Sequence, residues 1–116
     1  MSENCIFCKI VAGEMPAQKI YEDSELIAFH DIHPVAPVHF MIVPKEHIVS
    51  LAAAQLQHEK LLGRILLLAP VLAKEQGLLD GFRTIINTGK GGGQEVMHLH
   101  VHIIGGKPGH YVQHTM

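Results

Sequence analysis

Charge, cysteine and long apolar runs are all scarce in this 116-residue chain. Charged residues make up only 17% of it, and nine Lys plus Arg against eleven Asp plus Glu leave a net charge of -2, so nothing electrostatic favours a nucleic-acid backbone as partner. The longest apolar stretch, Ile65 to Ala73, falls far short of the roughly 20 residues that span a bilayer. The start, Met1-Ser2-Glu3-Asn4-Cys5, has neither the basic residues nor the apolar run of a signal peptide. These absences predict a cytoplasmic protein with no nucleic acid and no membrane as partner. Cysteine is limited to Cys5 and Cys8. Two thiols three residues apart in a reducing compartment do not make a structural disulfide, which leaves buried thiols, a redox pair or half of a metal site.

What the chain has in plenty is apolar residues and histidine. At 47% hydrophobic it is too apolar for disorder and too punctuated for collagen or a coiled coil, and its length suits one globular domain, 1–116. Ten histidines outnumber the nine fixed cations, and protonating all of them would move the charge from -2 to +8. Imidazole ligates metals, moves protons and attacks electrophiles near neutral pH, so the count points to chemistry without saying which.

The first seventeen residues suit a short helical turn and a loop. Lys19 to Glu22 and Leu26 to His30, separated by Asp23-Ser24, read as a hairpin. His39 to Val43 is a third strand ended by Pro44, which has no N–H for a ladder. From about Gln55 to Gln76 the period changes: Leu61, Ile65, Leu68 and Leu72, with Leu62, Ala69 and Ala73 beside them, mark a helix with one buried stripe. Gly77 is its predicted end, and Pro70 predicts a kink or a break. Gly81 to Asn87 is a fourth strand and His98 to Ile104 a fifth. Five strands with short links and one main helix make an antiparallel α+β domain.

In the fifth strand histidine alternates with aliphatic residues, so His98, His100 and His102 are expected on one face while Leu99, Val101 and Ile103 enter the core. Three readings compete. The imidazoles could simply line a solvated face. Neighbouring histidines, with Cα atoms roughly 6.6 Å apart, could share a zinc ion. Or the central His100 attacks phosphorus while its neighbours handle charge and protons. Gly91-Gly92-Gly93 just upstream favours the last, because a glycine backbone can aim N–H groups at phosphate oxygens.

The run Gly92-Gly93-Gln94-Glu95-Val96-Met97-His98-Leu99-His100-Val101-His102-Ile103-Ile104-Gly105-Gly106 resembles the signature of the histidine triad (HIT) superfamily, and its Hint branch of purine nucleoside phosphoramidases in particular. Matches at Cys5 to Ile10, Ala28 to Ile32, Ala36 to Phe40, Val43 to His47 and Ile86 to Gly89 extend the likeness over nearly the whole chain. The resemblance implies a HIT-like fold: a five-stranded antiparallel sheet, one main helix, a short N-terminal helix, and two sheets joined in a twofold homodimer. It implies a hydrolase that splits the P–N bond of purine nucleoside phosphoramidates, AMP or GMP conjugates with aminoacyl-adenylates among the candidates. His100 would be the nucleophile, His102 would hydrogen-bond phosphate or leaving-group atoms, and His39 and His98 would complete the site. Asn87 and Gly93 would hold the phosphate, Asp31 the ribose hydroxyls, and Ile6, Phe7, Ile10, Phe29, Ile32 and Met41 the base. Alternatives within the superfamily are a dinucleoside polyphosphate hydrolase or nucleotidyl transferase. Outside catalysis, the chain could be a nucleotide-binding regulatory module.

In relatives with an N-terminal CxxC, the resemblance implies a zinc site closed by the histidine after Pro-Lys and the first triad histidine. Here the set would be Cys5, Cys8, His47 and His98, a structural site not required for catalysis, with two packed thiols as the alternative. Animal members carry a serine at the position of Glu95, which is therefore left outside the catalytic set. Lys107 to Tyr111 resembles a tail that reaches the partner subunit's site. His30 and His33 are expected as loop or surface residues, His58, His110 and His114 as exposed, and Met41 and Met97 as packing.

Overall fold

The structure is a computed structural model that describes residues 4–106, so the expectations for Lys107 to Tyr111, His110 and His114 lie outside the described residues. Helix α1 (Ile6–Val11) leads into the hairpin of β1 (Lys19–Glu22) and β2 (Leu26–His30), followed by β3 (Val38–Pro44), helix α2 (Glu59–Glu75), β4 (Arg83–Ile85) and β5 (Val101–Gly105). All pairings are antiparallel, and the five strands lie in the order β1-β2-β3-β5-β4.

Alternation along the central strands gives the sheet two apolar faces. Leu26, Ala28, Phe40, Ile42, Val101 and Ile103 meet Ile65, Ala69, Leu72 and Ala73 of α2. On the opposite face Ile27, Phe29, Met41 and Val43 meet Cys5, Phe7, Cys8 and Ile10 from the α1 segment. Residues directly across a ladder share a face, so the pair Met41 and His102 brings His102 to the α1 side, where His39 also points. Residue by residue, the sheet thus separates a core side from a chemical side.

Several expectations are corrected. Helix α2 runs through Pro70 without a break. Pro70 lies on the exposed face, where water can satisfy the Leu66 carbonyl that a proline cannot. The helix does stop at Gly77, whose φ of 88° lets its N–H reach Lys74 O and the Leu78 N–H reach Ala73 O, a Schellman closure. Strand β5 begins only at Val101. Continuing its register would set Leu99 opposite Pro44, which has no N–H to give, and the Leu99 N–H turns instead to Ile48 O at 2.7 Å. Strand β4 is correspondingly short. His58, expected to be exposed, is buried: its Nδ1 accepts from the Gln55 N–H and its Nε2 meets Glu46 Oε2 at 2.9 Å. Met97, expected to pack, is 43% exposed.

Candidate active site

Because β5 starts late, His98 and His100 sit on the segment that leads into it rather than within a regular strand. The segment turns back on itself, so that His100 Nδ1 lies 2.7 Å from the carbonyl oxygen of His98. A carbonyl only accepts, so the His100 proton sits on Nδ1 and the Nε2 lone pair is left bare. The His100 and His102 rings lie 4.8 Å apart.

A second set of contacts fixes the neighbours. The Val35 N–H donates to His39 Nδ1 at 3.2 Å, which places the proton of neutral His39 on Nε2. That atom lies 2.9 Å from His102 Nδ1 and 3.3 Å from Asp31 Oδ2. His102 Nδ1 accordingly accepts, and its own proton is on Nε2. Burial lowers the His102 pKa to about 4, with the neighbouring His100 and His39 adding to the effect. Burial also lowers the pKa of His39, against an opposing pull from the Asp31 carboxylate. Both rings are neutral at pH 7.

These groups border a cavity of about 450 Å³. Ile6, Phe7, Ile10, Phe29, Ile32 and Met41 form its apolar lining, and Asp31, Asn87, Gly93, His100 and His102 its polar part, so every residue expected to bind nucleotide is brought together there. His39 and His98 stand behind the wall. His30 and His33, expected as incidental, also line the cavity, as does the exposed Glu95.

The glycine loop departs from expectation. The N–H groups of Gly92, Gly93 and Gln94 donate to the carbonyls of Gly89 and Lys90, closing a tight turn instead of an open anion nest. Gly93 has φ of 82°, which a side chain would strain. Gln94, buried and quoted in the sequence only as part of the family signature with no role assigned, clamps this turn: its Oε1 accepts from the Gly89 N–H, and its Nε2 donates to Val49 O and Val96 O. A lone amide inside a Gly-Gly-x-x-apolar run was the available signal.

Cys5, Cys8, His47 and His98 converge beside α1, their four ligating atoms within 4.8 Å of one another. Cys5 Sγ is 3.3 Å from His98 Nδ1, Cys8 Sγ is 3.1 Å from His47 Nδ1, and Cys8 Sγ is 3.6 Å from His98 Nδ1. Tetrahedral zinc with sulfur at 2.3 Å and nitrogen near 2.05 Å would set such pairs about 3.6 Å apart. His98 is prepared as a ligand: its Nε2–H donates to Pro44 O at 2.7 Å, so the Nδ1 lone pair faces the thiols. Its pKa is lowered, chiefly by burial, which keeps that lone pair free. Asp31, His39 and His102 also cluster, but there the Val35 N–H holds the proton of His39 on the inward atom, and the group is a hydrogen-bonded relay without a lone pair from His39 to offer a metal. Tautomers, more than distances, separate the two clusters.

The family model described as HIT domain matches residues 12–109. Protein HitA of Neisseria gonorrhoeae is 59% identical over 103 residues, covering 89% of this chain and 96% of the relative. The 14 kDa zinc-binding protein of Zea mays is 46% identical over 104 residues, 88% of this chain and 81% of that protein. Among solved structures, a HIT family hydrolase from Legionella pneumophila Philadelphia 1 superposes with a TM-score of 0.87 at 46% identity, covering 90% of this chain and 94% of that one. With the family match and these identities running over nearly all of its length, the chain belongs to the HIT domain family.

Proposed function

We propose that this chain is a nucleotide-binding hydrolase that cleaves the P–N bond of purine nucleoside 5'-phosphoramidates through a nucleotidyl-His100 intermediate. The observation that carries the reading is the bare Nε2 of His100 at the wall of the nucleotide-sized cavity, with Nδ1–H anchored on a carbonyl. A name supports the hydrolase class: the Legionella protein is called a HIT family hydrolase.

His100 Nε2 attacks phosphorus as the P–N bond breaks, and the amine takes one proton from cavity water on leaving. Nucleotidyl-His100 then carries a positive charge, which the His98 carbonyl dipole at Nδ1 stabilises. Water attacks phosphorus, returns one proton to solvent, and releases the nucleoside monophosphate with His100 restored. His102 Nε2–H donates to a phosphoryl oxygen, and the relay from His39 keeps that proton in place. A neutral His102 suits this step, because a second cation would oppose the charge forming on His100. Asp31 accepts from the ribose hydroxyls with the lone pairs not engaged by the His33 N–H and His39, and the apolar wall packs on the base.

Cys5, Cys8, His47 and His98 would hold a structural zinc, which supplies cross-linking of three chain segments and takes no part in the displacement. The zinc-binding name of the maize relative supports that assignment.

Turnover of an adenosine phosphoramidate tests the proposal. His100→Asn should lower kcat by at least about a thousandfold, as losses of covalent nucleophiles do, and the wild type should prefer P–N substrates over diadenosine polyphosphates. Undiminished turnover in the variant would falsify the mechanism.

A further inference from the structure

Helix α1 serves two sites at once. Cys5 at its N-cap and Cys8 within it face His98 and His47, while Ile6, Phe7 and Ile10 of the same six-residue helix line the nucleotide cavity. Phe7 is the physical bridge. Its ring stands edge-on to His98 at 5.9 Å and to His100 at 5.1 Å and rests on Phe29 at 5.5 Å. With 5% of Phe7 exposed, α1 cannot rotate without disturbing both imidazoles. A second path runs through His98 itself. Its ring faces the thiols, and its carbonyl holds the Nδ1–H of His100.

From this arrangement we infer that occupancy of the Cys5, Cys8, His47, His98 cluster by zinc and occupancy of the cavity by nucleotide are energetically coupled, with Phe7 and His98 as the positioning residues. The inference rests on the zinc and nucleotide readings above. A helix of six residues does not hold itself in water, so α1 takes its position from what it docks against. Zinc would tie α1 to His47, beyond β3, and to His98, ahead of β5. Fixing α1 in advance removes part of the ordering cost that nucleotide binding otherwise carries. The coupling is therefore positive, and by linkage AMP must tighten zinc binding by the same factor that zinc tightens AMP binding.

The test uses the full chain. The zinc dissociation constant is measured against a chromophoric chelator with and without saturating AMP, and the AMP affinity is measured by calorimetry on zinc-loaded and chelated protein. Each ligand should tighten the other equally, by at least about fivefold, the lower end for coupled sites. Phe7→Leu keeps apolar bulk without ring edges and should bring the factor close to one while both ligands still bind. The double variant Cys5→Ser with Cys8→Ser should bind AMP as the chelated wild type does and ignore added zinc. Unchanged affinities in the wild type, with both ligands bound, overturn the coupling. An undiminished factor in Phe7→Leu overturns the route through that ring. Failure of zinc, or of AMP, to bind the wild type at all overturns the coupling together with the reading on which it rests.

Discussion

Burial, reinforced by His100 and His39, pushes the pKa of His102 down to about 4, and that shift has a consequence for stability. An unfolded chain takes up the same proton near pH 6.5, so above that value the ring is neutral in both states and costs nothing. Between pH 6.5 and about 4 the unfolded chain binds a proton that the native chain refuses, and stability falls as pH drops. With screening by the partly exposed surroundings, the loss at pH 5 is about 1 to 2 kcal/mol. Melting temperatures of the wild type and His102→Gln between pH 7 and pH 5 isolate the contribution of this ring. The variant should show the shallower slope, and parallel slopes would remove His102 as the cause.

Helix α2 carries a test of its own. Pro70 leaves the Leu66 carbonyl without its helical partner inside a continuous helix, so the missing bond is a cost to that helix. Pro70→Ala should restore it and stabilise the chain by about 1 to 3 kcal/mol in denaturant titration. Destabilisation would mean that the proline is packed against something essential. Elements built from local pattern were legible in the sequence: the β1–β2 hairpin matched residue for residue, and the α2 stripe landed on the core it was expected to fill. What was not legible depends on partners distant in the chain. The start of β5 follows from the register that sets Leu99 opposite Pro44, and nothing within the His98 to Ile104 run records that. The same holds for the site. The nine positions expected to bind nucleotide were readable through a family likeness and do line one cavity, but the tautomers that leave His100 Nε2 bare, put the His39 proton on Nε2 and turn the His98 Nδ1 lone pair to the thiols depend on backbone groups of His98, Val35 and Pro44. Backbone geometry of that kind has no signature in side-chain spacing.

At the scale of the whole molecule, the sheet buries both its faces, yet α2 keeps an apolar outer side. Leu67 is 75% exposed, with Leu66, Pro70 and Val71 beside it on adjacent turns, and open space lies over Gly63 one turn earlier. A small residue flanked by exposed leucine permits close approach of another backbone, and the twofold pairing expected from the family resemblance would supply a second copy of the same face. In such an isologous contact each substitution acts twice. Leu67→Glu would place two carboxylates in one apolar interface, where each must shed water without a partner. Sedimentation should give the wild type twice its 12.8 kDa chain mass and the variant the single mass, with far-ultraviolet dichroism unchanged because residue 67 lies on the exposed side of the helix. A wild type that sediments at the single-chain mass would dismiss the dimer, and with it the expectation that the partner's chain reaches this cavity. A variant that remains dimeric would move the interface off α2, leaving the exposed leucines to another role.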